Sequence, residues 1–137
     1  MEVTGILAPD SVAAARDTYA DLGPAVETIV TEIARTMDRS AAAHDERVTD
    51  DVIETARDAT FASLLRVTVG TREEFETWRD GFDGDVTVSG SDHVDGVVWH
   101  AVDGEAVAAT FADDREAAVG TLRRQAFGRL YRDRLES

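Results

Sequence analysis

The chain has no cysteine, and all 14 of its basic residues are arginine, so it also has no lysine. The first absence excludes disulfides, thiolate metal sites and cysteine nucleophiles. The second excludes the phosphate-binding loop that ends in Lys-Ser or Lys-Thr, and with it Schiff-base and lysine general-base chemistry. Gly-x-Gly-x-x-Gly, His-Glu-x-x-His and Gly-x-Ser-x-Gly are missing too, which removes most common nucleotide and hydrolase machinery. No apolar run approaches the roughly 20 residues of a membrane helix. The opening MEVTGILAPD has neither the basic flank nor the apolar run of a secretory signal. These absences predict a soluble cytoplasmic protein without a membrane partner, and 137 residues fit a single domain, 1–137.

What the chain has in excess is acid. It carries 28 Asp plus Glu, for a net charge of −14. A 43% apolar content and clear periodicities argue against disorder. The acids are dispersed instead of forming the run expected of a nucleic-acid mimic. The composition fits a high-salt cytoplasm, where the Debye length falls to about 3 Å and self-repulsion is screened. The apolar complement agrees, with 21 Ala and 16 Val against 11 Leu plus Ile. Charge is also divided: residues 117–135 hold five Arg and one Asp, so that segment is +4 and the remainder −18. The total disfavours a nucleic-acid partner.

Hydrophobic spacing predicts helices over the first 80 residues. Asp10 or Ser11 caps a first helix with Val12, Ala15, Tyr19 and Leu22 on one stripe. Gly23-Pro24 is expected to end it and start a second, whose Val26, Ile29, Val30, Ile33, Ala34 and Met37 form the cleanest apolar stripe in the chain. After a connection at 40–48, a third helix starts at Thr49 or Asp50 and runs through Val67 to Gly70. Thr71 to Glu74 then reads as a capping box opening a fourth, with Phe75, Trp78 and Phe82 aligned. The period changes to two at Val86–Ser89, and Asp103-Gly104 predicts a hairpin pairing Val102 with Glu105, His100 with Val107 and Val98 with Ala109. Both resulting sheet faces are largely apolar, so both should be covered. Asp113 with Glu116 is expected to open a last helix reaching Leu135. The expected fold is α+β: an N-terminal bundle of about four helices, a small three-stranded antiparallel meander, and a C-terminal helix packed on the sheet.

The stretches RVTDDVIETARDATFASLL, GTREEF and TLRRQAFGRLY resemble a haloarchaeal family of unknown function, over nearly the whole length. The resemblance implies a halophilic archaeal cytoplasm. It brings no activity, cofactor or catalytic residue.

Candidate sites are few. Asp92, His93, Asp95 and His100 could hold a divalent metal, because two imidazoles and a carboxylate make an open site. Against that, His100 alternates with Val98 and Val102, as a core histidine donating to a backbone carbonyl would. His44-Asp45-Glu46-Arg47 reads as a cap or solvated loop, and Asp83 and Asp85 lack the remaining ligands of a calcium loop. Trp99 lies among Ala, Val and Thr, so a helix stripe covers it or it is a partner surface. Arg123 projects near Val119, Phe127 and Leu130, where a guanidinium needs a carboxylate or an anionic ligand. Arg124, Arg129 and Arg132 point in different directions at 100° per residue, which counts against a nucleic-acid-binding helix. Gly120 and Gly128 in the same helix suggest close approach of another backbone, as across a dimer.

These residues favour a non-enzymatic protein with no cofactor, no catalytic residue and no committed metal site: a small interaction or oligomeric module, associating with itself or another protein. The alternative is a small anionic-ligand-binding or metal-assisted hydrolytic pocket using His100, Arg123 and the Asp92–Asp95 loop.

Overall fold

The structure, a computed structural model, describes residues 1–37 and 49–135. The connection at 40–48, with His44-Asp45-Glu46-Arg47, lies outside the described residues. Within them are four helices and a five-stranded mixed sheet. The helices are α1 (Val12–Met37), α2 (Asp50–Leu64), α3 (Arg72–Asp80) and α4. The last has three parts: Arg115–Ala126, a π-helical turn Phe127–Tyr131, and Arg132–Leu135. The strands are β1 (Glu2–Thr4), β2 (Val67–Thr71), β3 (Asp85–Ser89), β4 (Gly96–Val102) and β5 (Glu105–Phe111), in the order β1-β2-β4-β5-β3.

The sheet is larger than a three-stranded meander. β1 and β2 add antiparallel strands beside β4, and β3 pairs parallel with β5 at the far edge. The third helix is expected to run on through Val67 as far as Gly70, because the apolar run of α2 leads there without an earlier Gly or Pro. The switch is made at Leu65, whose extended backbone ends the helix. Val67-Thr68-Val69 then alternates as β-branched residues favour, burying Val67 and Val69. The Asp103-Gly104 hairpin has the expected register, with Val102 opposite Glu105 and His100 opposite Val107. Asp103 and Gly104 both take positive φ, as a two-residue hairpin turn demands. Asp103 does a second job: its Oδ2 accepts from the Val12 amide at 2.7 Å, satisfying a free N–H at the start of α1.

Gly23-Pro24 does not divide the first helix; α1 runs through it. Proline normally excludes its predecessor from helical geometry by a clash with that residue's Cβ, and Gly23 has none. Ala15, Tyr19 and Val26 then stay on one buried face, which packs with α2. An N-terminal four-helix bundle is accordingly replaced by an α1–α2 hairpin and the short α3. The capping box at the start of α3 is present, Thr71 accepting from Glu74 and Glu74 from Thr71. At α4 the cap is Asp114, whose carboxylate accepts from Ala117, so Asp113 and Glu116 do not form the expected pair.

Both sheet faces are covered. On one, Phe75 of α3 packs with Val97, Trp99 and Ala108. On the other, α4 lies on β4 and β5, and α1 and α2 close over it. Phe61 sits at the centre of that larger core, with ring centroids 5.9, 5.9 and 5.3 Å from Tyr19, Phe127 and Tyr131. Within the chain, no described backbone segment approaches Gly120 or Gly128 closely. A Cβ at Gly128 would meet nothing within 4 Å, and one at Gly120 only the end of the Arg124 side chain.

Candidate functional site

His100 is buried on the α4 side of the sheet. Its Nδ1 lies 2.7 Å from the Arg66 carbonyl, which can only accept, so Nδ1 carries the proton. Nε2 therefore accepts, and the Tyr131 hydroxyl donates to it at 2.6 Å. Both nitrogens are occupied, and neither is free for a metal or a substrate. Burial pushes the imidazole below its ordinary value, partly opposed by the bond to Arg66. Burial, helped by the charge of Asp103, pushes the Tyr131 hydroxyl up. The pair is a neutral polar link inside an apolar core.

That link sets a pH dependence. A base whose folded pKa is depressed contributes full stability above its unfolded value, here 6.5, and loses it as pH falls through the folded value. Thermal melts should show Tm falling as pH drops from about 7.5 towards 5.5, above the carboxylate range. His100→Gln should flatten that slope. An unchanged slope in the variant would contradict the assignment.

Arg123 is held by a backbone acceptor. Its Nε donates to the carbonyl of Leu65, the C-cap of α2, at 2.9 Å. The helix leaves its last carbonyls without internal partners, and a cation there also complements the dipole. Leu64 just before takes the Ile6 and Leu7 amides. Gly5 lets Arg123 reach this position, since a Cβ there would lie 2.5 Å from the Leu65 oxygen and 2.9 Å from Arg123 Nη2. The adjoining cleft of about 490 Å³ holds Arg115 and Glu116 as well, and Arg115 is ion-paired with Glu2.

The 90–95 loop lies at the other end of β4 from His100. Arg72 pins it, donating to the carbonyls of Ser91 and Val94 at 2.9 Å each. His93 and Asp95 are exposed on it. His100 and Arg123 line separate clefts, and the 92–95 residues line neither. The three parts of the alternative pocket are thus not brought together. Among the described residues, no three His, Asp or Glu side chains converge as a metal site would require.

Trp99 is covered, with 2% of its surface exposed. An aromatic ladder closes over it: Phe75 and Trp78 of α3 at 5.2 and 5.6 Å, with Phe82, just beyond the helix, stacked on Trp78 at 4.7 Å. Trp99 is therefore covered from within the chain.

Two features escaped the sequence reading. Half of the cleanest apolar stripe is open: Val26 and Ala34 are buried, while Ile29, Ile33 and Met37 are 56%, 55% and 66% exposed. Periodicity shows that a helix is two-faced and is silent on what covers each part of the face. The second is a groove of about 360 Å³ between α2 and α4, into which Arg124 and Arg132 both open. A polar cluster joins α1 to α2 nearby. The Tyr19 hydroxyl donates to Asp58, the Arg57 guanidinium lies 4.3 Å over the Tyr19 ring, and burial, with the Asp58 bond, pushes the phenol up to about 12.

Residues 6–132 match the model of a family of unknown function, DUF5809, and the chain belongs to that family. No curated protein matches the chain. No solved structure matches it. Among the described residues, no helix is long and apolar enough to cross a membrane.

Proposed function

We propose that this member of a family without an assigned activity is a non-catalytic module that pairs with a second copy of itself in a high-salt cytoplasm. The observation that supports this is the open row Ile29, Ile33 and Met37 on α1. Spaced at i, i+4 and i+8, these side chains form a ridge of the kind that packs into the matching groove of another helix. A twofold axis sets the same ridge against itself, so one patch serves both partners. The row carries no charge, and Glu32 and Arg35 beside it neutralise each other at 3.2 Å.

The net charge of −14 sets the condition under which such copies meet. In dilute salt they repel; in molar salt, with a Debye length of about 3 Å, only the local contact is felt. Light scattering in about 2–3 M KCl should therefore give twice the mass of one chain, and the mass of one chain in dilute buffer. A single-chain mass at every protein concentration in salt would sink the proposal. The folded state itself should follow the same screening, with Tm rising by about 10 °C or more between 0.1 and 2 M KCl. Full stability without salt would count against the high-salt setting.

A further inference from the structure

The last helix changes its winding at Phe127–Tyr131. A π-helical turn, bonded i to i+5, holds one residue more than an α-turn, so everything after it is set back by about 100°. In an unbroken α-helix, residues 124 and 132 would diverge by about 80°; with the extra residue they fall within about 20° of each other. Arg124 and Arg132 accordingly line the same groove between α4 and α2. Ala59, Ala62 and Phe127 give it an apolar wall, and the Asp58 carboxylate on it already accepts from Tyr19.

Among the described residues, no carboxylate pairs with either arginine. Arg124 makes a long bond to Thr121 Oγ1 at 3.4 Å, and Arg132 lies 5.3 Å from the centre of the Phe127 ring. Neither is among the ion pairs of the described residues, in a chain with 28 carboxylates to choose from. A volume of about 360 Å³ is also within the range of small-molecule pockets.

We propose that this groove binds a small organic anion, a carboxylate or phosphate carried on an apolar body. Arg124 and Arg132 hold the charged end, each guanidinium matching the geometry of such a group. The apolar body lies against Ala59, Ala62 and Phe127. Both halves are needed in molar salt, because ionic attraction alone is screened there. The groove shares no residue with the Ile29–Ile33–Met37 row, so binding and pairing are separate properties.

The test is amide NMR of the full chain in about 2 M KCl, titrated with phenyl phosphate, phenylacetate and inorganic phosphate. Phenyl phosphate or phenylacetate should cause saturable shifts at Ala59, Arg124, Phe127 and Arg132, and the tighter of the two identifies the head group. Inorganic phosphate should bind at least about tenfold more weakly, for want of apolar contact. The double variant Arg124→Gln, Arg132→Gln should keep its fold and lose at least about tenfold in affinity. Ile29→Glu with Ile33→Glu should keep wild-type affinity, whatever its effect on pairing. No saturable shift with either organic anion, equal binding of inorganic phosphate, or unchanged affinity in the double arginine variant would each overturn the proposal.

Discussion

Phe61→Ala should lower the stability of the fold by about 3–5 kcal/mol, the largest single-residue effect expected in the chain. Phe61 is fully buried and touches the rings of Tyr19, Phe127 and Tyr131. Those three come from α1 and from the π-helical turn of α4, so one side chain joins three helices. Cutting it to a methyl leaves a cavity that the neighbours can fill only by leaving their own contacts, because each is itself packed against other elements. Total stabilities of domains lie at about 5–15 kcal/mol, so the variant should stand close to unfolding. Urea melts in about 2 M KCl, with the charge screened, would measure it; a loss below about 1 kcal/mol would contradict a central role for this ring.

Replacing Ile29 and Ile33 together by Glu should instead leave the monomer fold nearly untouched and abolish pairing. Both side chains are more than half exposed, so little apolar burial within the chain is lost. Glu is also a better helix former than Ile. Stability of the single chain should thus change by about 0.5 kcal/mol or less. At a twofold contact, however, each charge meets its own copy, and four carboxylates enter a row that carried no charge. A weakening of at least about a hundredfold is expected, about 2.7 kcal/mol. Sedimentation equilibrium of both proteins in the same KCl would measure it. Loss of the fold together with pairing would mean that the row belongs to the internal core.

The parts of this molecule that are local in sequence were legible there. The Thr71–Glu74 capping box and the Asp103-Gly104 hairpin depend on residues within a few positions of one another, and both form as spaced. The alternation in β4 and β5 likewise places Val98, Val102, Val107 and Ala109 on one sheet face and Val97, Trp99 and Ala108 on the other, as they pack. β1 and β2 were hidden because three- and five-residue strands depend on a neighbour, β4 for β2 and β2 in turn for β1, and the sequence does not display those contacts. Pro24 looked like a boundary because its usual penalty falls on the preceding side chain, and Gly23 has none to penalise. For Arg123 the sequence points to a carboxylate or an anionic ligand, because the acceptor its Nε meets, the Leu65 carbonyl, lies 58 positions away and is backbone.

The groove was hidden by a single residue of winding. At a constant 100° per residue, Arg124 and Arg132 diverge, and only the π-helical turn returns them to one side. The open α1 row shows the converse case. Its residues and spacing were plain, but the sequence could not say that α2 covers Val26 and Ala34 and leaves Ile29, Ile33 and Met37 bare.

The absence of cysteine makes one decisive measurement clean. Ile33→Cys places a single thiol in the row, and Glu76→Cys on the exposed surface of α3 serves as its control. In about 2 M KCl, where charge is screened, thiol labelling rates are followed as protein concentration rises. Pairing through α1 predicts that the rate at position 33 falls by about tenfold or more as the chains associate, and recovers on dilution. The rate at position 76 should stay constant throughout. Equal and concentration-independent rates at both positions would show that the row remains open, and that this chain does not pair through it.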